Sequence, residues 1–401
     1  MLNQSFTISN FRKIFDYENR KGYYLEGRYY PEIESLTKEL KNCATEFKIL
    51  NKEKDQLSTE EYEHKKSQLN SKKNKLKEQK EKLLIYELEK LCEKINKGEY
   101  CINIIKTEAT QDNKASYSIE KSNICAYFVI KQIQYTLKKL YKVQQSNRYN
   151  IICQLRGVLN NSFPKYIIRT DIKEFYESIS QDKLLKKINK DSLLMPSSKK
   201  IIHDIISEYN NLSGTTTGIP RGIGISAYLS ELYLREFDEA IKKHPDIIFY
   251  ARYVGDIVVI YAPKPNSEPL KFLDKIREEA GRLDLSLNEN IKKTKTINLM
   301  TPSNKNFEYL GYKFLIESKK IKIQISSNKM DLYEKRIELS FDEYTKQNPT
   351  EKVARKLLID RLRFLTGNTR LSNNKDNALI GIYFTNNLLT DSLCLAELDD
   401  F

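Results

Sequence analysis

Apolar positions along the chain follow two periods. Ile33, Leu36 and Leu40 recur at helical spacing behind Pro31, which suits a first helical turn. Ser58-Thr59-Glu60-Glu61 is a capping-box pattern and predicts a second, longer helix through Leu69, Leu76, Leu83 and Leu84 to Leu91. Between Glu61 and Lys82 its residues are mostly Lys, Glu, Gln and Asn. The pattern therefore predicts a helical hairpin over residues 31–98 that stands out from the body, either a solvated coiled-coil arm or a docking arm. Gly98 breaks the period. Short β-like runs follow at 101–106 and 116–120, joined by the turn-rich Thr110-Gln111-Asp112-Asn113, and helical spacing returns over 122–145. Further on, apolar strands run into Asp171 and flank Tyr253-Val254-Gly255-Asp256, which predicts a hairpin turning at Gly255-Asp256. An amphipathic helix is expected over 225–242. The last segment, 325–401, reads as helical, with Pro349 at a helix start. Val353, Leu357, Leu358, Leu362 and Leu365 form an apolar stripe expected in the core, beside a basic face of Arg355, Lys356, Arg361, Arg363 and Arg370.

At 401 residues the chain is long enough for two or three structural units and a sizeable core. Lys+Arg 68 against Asp+Glu 54 gives +14 at pH 7, which suggests a polyanionic partner or simply a lysine-rich surface. The 26 Tyr and 16 Phe offer stacking surfaces, and residues 1–30 interleave aromatics with basic residues, either to pack on a domain or to touch a phosphate backbone. The six Cys are scattered without a C-x-x-C pair and the three His lie far apart, so a zinc site is not expected and the thiols read as reduced. No apolar run reaches a membrane span and no export signal is visible, so the expectation is a cytoplasmic chain without a membrane partner.

Five blocks carry candidate chemistry. Asp171 ends an apolar strand and is followed by Phe175-Tyr176, and a carboxylate there can hold a divalent cation beside a substrate phosphate. Gly218-Ile219-Pro220-Arg221-Gly222, with Ser226, allows close backbone approach to a base pair or triphosphate. Arg252-Tyr253 precedes Asp256; Leu285-Ser286-Leu287-Asn288 precedes Lys293-Thr294; Leu310-Gly311-Tyr312 closes the series.

In order and spacing these blocks resemble motifs A to E of reverse transcriptases, over roughly 145–320. The resemblance implies an α+β, right-hand fold of fingers, palm and thumb, here with the protruding helical hairpin near the N-terminus. It divides the chain into an N-terminal segment (1–30), the hairpin (31–98), fingers (99–165), palm (166–300, with a fingers portion at about 181–215), primer grip (301–324) and thumb with tail (325–401). No maturase-like or zinc-bearing segment follows the palm. The chain looks most like bacterial defence-associated, anti-phage reverse transcriptases, in particular the small reverse-transcriptase subunit of type 3 systems.

The resemblance implies RNA-directed DNA synthesis with two Mg²⁺ ions, or Mn²⁺ in their place, and dNTP as substrate. Its implied partners are a dedicated non-coding RNA, the DNA product and a second reverse-transcriptase subunit or another copy of the chain. Asp171 matches the motif A metal ligand, and the Ile172 carbonyl completes the cage. Tyr176 matches the steric gate that favours deoxynucleotides, and Arg221 and Gly222 match residues packed on the incoming nucleotide. Lys293 matches the lysine beside the pyrophosphate, with Lys292 an adjacent candidate. Leu310, Gly311 and Tyr312 match the primer grip.

Motif C departs from the family's Tyr-x-Asp-Asp, because Gly255 stands where the first, metal-bridging acid belongs and only Asp256 remains. Three explanations compete: a substitution that silences the site, a naturally degenerate nucleic-acid-binding or scaffold subunit paired with an active polymerase, or Asp256 taking the ligand role with help from Glu174. Template-independent DNA synthesis is a further reading of the same motifs.

Overall fold

The computed structural model describes residues 3–107, 114–161, 163–263, 271–300, 304–317, 320–347, 351–367, 369–370 and 379–400. Thr110–Asn113, Pro349 and the Arg370 side chain, singled out above, lie outside what is described.

Thr7 caps α1 (Ile8–Arg20), and a short α2 (Leu25–Tyr29) leads into the arm. The arm is α3 (Pro31–Lys52), a single 3-10 turn at Lys54–Gln56, and α4 (Thr59–Asn96). The Ser58–Glu61 capping box forms in both directions. Only Cys43, Leu50 and Leu76 are buried over the outer part of the pair, whereas Leu84, Leu88, Leu91 and Ile95 anchor its base in the main core. The strands β1 (Ile104–Thr107) and β2 (Ser116–Ile119) form a hairpin, followed by α5 (Ile124–Leu140) and α6 (Arg148–Leu159).

The central sheet has the order β4-β5-β3-β6, all antiparallel. Its strands are β3 (Tyr166–Asp171), β4 (Ile247–Tyr253), β5 (Asp256–Tyr261) and β6 (Lys295–Asn298). Both faces of β3 and β5 are covered, which explains the unbroken apolar run from Ile257 to Tyr261. Ile168, Ile257 and Val259 join the core with α9 (Gly224–Lys242) and α10 (Lys271–Gly281). Ile167, Val258 and Ile260 join a second core with α6 and a three-stranded sheet. That sheet is β7 (Lys305–Tyr309), β8 (Tyr312–Glu317) and β9 (Lys320–Ile325). Between β3 and β4 lie α7 (Gln181–Lys190) and α8 (Pro196–Ser213). After β9 come α11 (Ser327–Lys346), α12 (Lys352–Thr366), the short pair β10 (Thr369–Arg370) and β11 (Leu379–Ile380), α13 (Ile382–Thr385) and α14 (Leu393–Asp400).

Two expectations need correction. The β4–β5 loop is Val254-Gly255, and Asp256 is already paired with Tyr253 as the first residue of β5. Val254, not a glycine, takes the left-handed backbone at φ 58°. The α12 stripe is not core: Ala354 alone is buried on that helix, and Val353 is 66% and Leu357 42% exposed. The helix packs chiefly on α11, and no layer covers its other side among the described residues. No described helix is long and apolar enough to cross a membrane.

Candidate active site

Asp171 and Asp256 are direct partners in the β3–β5 ladder. Residues opposed in an antiparallel pair share a face with Cβ atoms about 5 Å apart, so both carboxylates project from the same side of the sheet. This is the face of Ile167, Val258 and Ile260, at the end where that core stops. Burial, then the nearby Asp171 charge, raises the Asp256 pKa. Arg169 and Lys293 oppose that rise. Lys293 Nζ lies 3.7 Å from Asp171 Oδ2, and Arg169 Nη2 lies 3.9 Å from Asp256 Oδ1. Arg169 shares the face of Asp171 by strand alternation, two residues earlier. Its Nη1 donates to the Lys292 carbonyl at 2.6 Å, and its buried Nε has no partner. Lys292 thus contributes its backbone here, while Lys293 contributes the charge.

Gly255 sits against this pair. A Cβ added to it would lie 3.3 Å from Phe175 Cβ, 3.4 Å from Asp171 Oδ1 and 3.5 Å from the Ile172 carbonyl oxygen. Ile172 N–H donates to the Gly255 carbonyl at 3.0 Å, and Asn288 N–H to that of Asp171 at 2.7 Å. Asp171, Asp256 and the Ile172 carbonyl are hard oxygen donors that suit one Mg²⁺ completed by water and phosphate. Each carboxylate has one cationic side chain within 4 Å, Lys293 beside Asp171 and Arg169 beside Asp256. Glu174 does not join them; it is exposed, at φ 48°, and lines a small cavity of about 140 Å³ with Glu177 and Arg221.

Tyr176 is partly buried. Its ring lies under the Arg221 guanidinium at 5.5 Å and meets Phe175 edge-on. Burial raises its pKa. Arg221 donates to both oxygens of Glu177, at 2.8 and 2.9 Å. Gly222 has φ 98°, and a Cβ there would meet the Tyr117 carbonyl oxygen at 2.5 Å, so its glycine is required for the loop to dock on β2. Tyr117 N–H donates to the Arg221 carbonyl at 2.7 Å across the same junction.

Leu310 and Gly311, at φ 48° and 75°, form the two-residue turn between β7 and β8. Arg148 Nε donates to the Leu310 carbonyl at 2.8 Å, and both Arg148 and Lys329 stand 5.0 Å from the Tyr312 ring centre. Burial, and then Arg148, pushes the Lys329 pKa down to about 7. The root of this hairpin touches the carboxylate strand, because the Tyr309 hydroxyl donates to the Asp256 carbonyl at 3.1 Å.

Sequence reasoning missed the residue that holds the β4–β5 turn. Arg252 is 4% exposed and uses all five of its N–H donors. They reach both oxygens of Glu231 and of Asp238 on α9, and the Val254 carbonyl at 2.9 Å. The Tyr250 hydroxyl also donates to Asp238. A lone arginine in a strand gives no sign of partners 14 and 21 positions away. Alternation from Asp171 was the one signal that pointed to Arg169.

Two carboxylates on the inner strands of an antiparallel sheet, a glycine-rich loop docked on a neighbouring hairpin and a second hairpin touching the carboxylate strand make up a polymerase palm. The sequence profile described as "Reverse transcriptase (RNA-dependent DNA polymerase)" matches residues 113–314, half of the chain, and the chain belongs to that family. Among solved structures it is similar to truncated apo telomerase from Candida tropicalis, at 14% identity over 55% of this chain and 57% of that one, TM-score 0.40. It is also similar to Candida albicans telomerase bound to a telomeric RNA fragment, at 13% identity over 66% and 53%, TM-score 0.41. The chain spans a little over half the length of these two structures. No curated protein matches.

Proposed function

We propose that this chain is the RNA-directed DNA polymerase subunit of a bacterial anti-phage defence system, with catalysis weakened at motif C. The pairing of Asp171 with Asp256 beneath the family's motif order carries the polymerase reading. The defence role, the bacterial cytoplasm and the dedicated small RNA rest on the motif resemblance. On this reading residues 99–165 with about 181–215 act as fingers, 166–300 as palm, 301–324 as primer grip and 325–401 as thumb.

A primer or priming hydroxyl attacks the dNTP α-phosphate, and pyrophosphate leaves. When bound at Asp171, Asp256 and the Ile172 carbonyl, a divalent cation supplies charge neutralisation at the reacting phosphate. Lys293 donates a proton to the leaving pyrophosphate. Arg148 and Lys329 hold the Leu310-Gly311 turn toward the primer strand. Gly255, with the balanced charges of Asp171, Asp256, Lys293 and Arg169, favours a second reading of the same fold, a subunit that binds nucleic acid and hardly extends it.

Nuclease digestion and sequencing of nucleic acid that co-purifies with the chain tests the proposal. One small RNA species is expected; random host RNA, or none, refutes a dedicated template. The gate is tested separately. Tyr176→Ala, placed in a Gly255→Asp background, should raise ribonucleotide use relative to deoxynucleotide by about 10-fold or more, since removing the ring opens space for a 2′-hydroxyl. Equal discrimination by both forms removes Tyr176 from the gate.

A further inference from the structure

The aromatic and basic residues near the N-terminus fold into a surface that the polymerase site does not use. Tyr17 of α1 and Lys21, the residue that caps its C-terminus, lie one turn apart, with the Lys21 ammonium 4.2 Å from the Tyr17 ring centre. Gly22, Tyr23 and Tyr24 connect α1 to α2, and Tyr24 holds a left-handed backbone at φ 47°, unusual for an aromatic residue. Lys131 of α5 stands 5.2 Å from the Tyr23 ring centre and 5.4 Å from that of Tyr127. It is held there by Glu18, a carboxylate only 3% exposed that accepts from Lys131 Nζ and from the Tyr127 hydroxyl, each at 2.8 Å. Tyr135 and Lys139 continue the same stripe at four-residue steps, 5.8 Å apart. Tyr17, Tyr23, Tyr24 and Tyr135 are 45–54% exposed.

The two segments that supply this face are strongly basic. Residues 1–30 and 122–145 contain nine Lys or Arg (12, 13, 20, 21, 28, 131, 138, 139 and 142) and three acids. Asp16 is paired with Arg12, Glu26 with Lys80, and Glu18 is buried. The surface also faces away from the carboxylates. α1, α5 and α9 pack in the core of Ile168, Ile257 and Val259, whereas Asp171 and Asp256 project from the opposite face of the sheet, that of Ile167, Val258 and Ile260.

We infer that this face binds an unpaired stretch of nucleic acid, distinct from the strand in the polymerase groove. Bases stack on the tyrosines, and Lys21 and Lys139 take the phosphates. Interleaved rings and uncompensated lysines are what a single strand requires, since every base has a π-face and every linkage a charge. A protein interface would instead deplete lysine. The inference does not need an active polymerase, only the surface.

Fluorescence anisotropy with a 12-nucleotide oligouridine tests it, in the full chain with a saturating unlabelled short primer–template duplex present to occupy the groove. The Tyr17→Ser/Tyr23→Ser/Tyr135→Ser variant should bind the oligonucleotide at least ~10-fold more weakly, and the matching Tyr→Phe variant should retain affinity. Lys21→Gln/Lys139→Gln should lower the slope of log affinity against log salt by about 1.4. The oligodeoxyuridine arm tells RNA preference from general single-strand binding, both of which support the site. Unchanged binding by the serine variant, at an unchanged melting temperature, overturns the inference, as does equal loss in the phenylalanine variant. If the duplex itself fails to bind, the polymerase reading fails while the oligouridine result still decides this one.

Discussion

Gly255→Asp should raise primer extension by about 10³-fold or more at saturating Mg²⁺. The backbone at 255 is not left-handed, because Val254 takes that conformation, so an L side chain adds no φ strain. The new Cβ would lie 3.3 Å from Phe175 and 3.4 Å from Asp171 Oδ1, which requires a shift of a few tenths of an ångström. From there a carboxylate would join Asp171 and the Ile172 carbonyl in holding a divalent cation and would add the negative charge that two-ion phosphoryl transfer needs. The missing negative charge is worth several kcal/mol at the transition state, and each ~1.4 kcal/mol is tenfold in rate. Two effects oppose the gain. A third carboxylate repels Asp256, whose pKa is already raised, and Arg169 and Lys293 already neutralise the pair. Both weaken once a cation binds, so the gain should grow with Mg²⁺ concentration. RNA affinity should stay within about twofold, since phosphate contacts along the strand are separate from this residue. Single-turnover extension by the two forms decides it. Robust extension by the Gly255 form would mean that Asp171 and Asp256 suffice.

What was legible followed from burial. The run Ile257–Tyr261 reads as a strand because both faces are covered, and Asp171 and Asp256 fall opposite each other because both strands run to the same sheet end. The arm was legible from its capping box and its charged outer face. The turn was misplaced by one residue because the preference for glycine at positive φ pointed to Gly255, whereas tertiary contacts hold Val254 there. The α12 stripe has helical period, but periodicity shows that a face is apolar, not what covers it. The role of Arg252 was invisible for a different reason: its partners, Glu231, Asp238 and the Val254 carbonyl, are brought near only by the folded sheet and α9.

Arg252→Met should lower unfolding free energy by about 3–5 kcal/mol, as removing one partner of a buried ionic group does. The methionine fills similar volume, so the loss is electrostatic rather than a cavity. It strands Glu231 and Asp238 without their cation and leaves the Val254 carbonyl unpaired at the turn bearing Gly255 and Asp256. The sign of the pH dependence follows from burial, which already raises the Glu231 pKa against the pull of Arg252. Without the arginine the folded Glu231 titrates still further above its unfolded value. The deficit relative to the parent is then full at neutral pH and shrinks as the medium is acidified through that raised value. Denaturant unfolding of both forms at pH 7 and pH 5 measures it. A loss under ~1 kcal/mol at pH 7, or one that grows on acidification, would show that Arg252 does not hold this hairpin. Arg252→Lys should recover only part of the loss, since an ammonium has three donors and no planar fork to meet two carboxylates and a carbonyl at once.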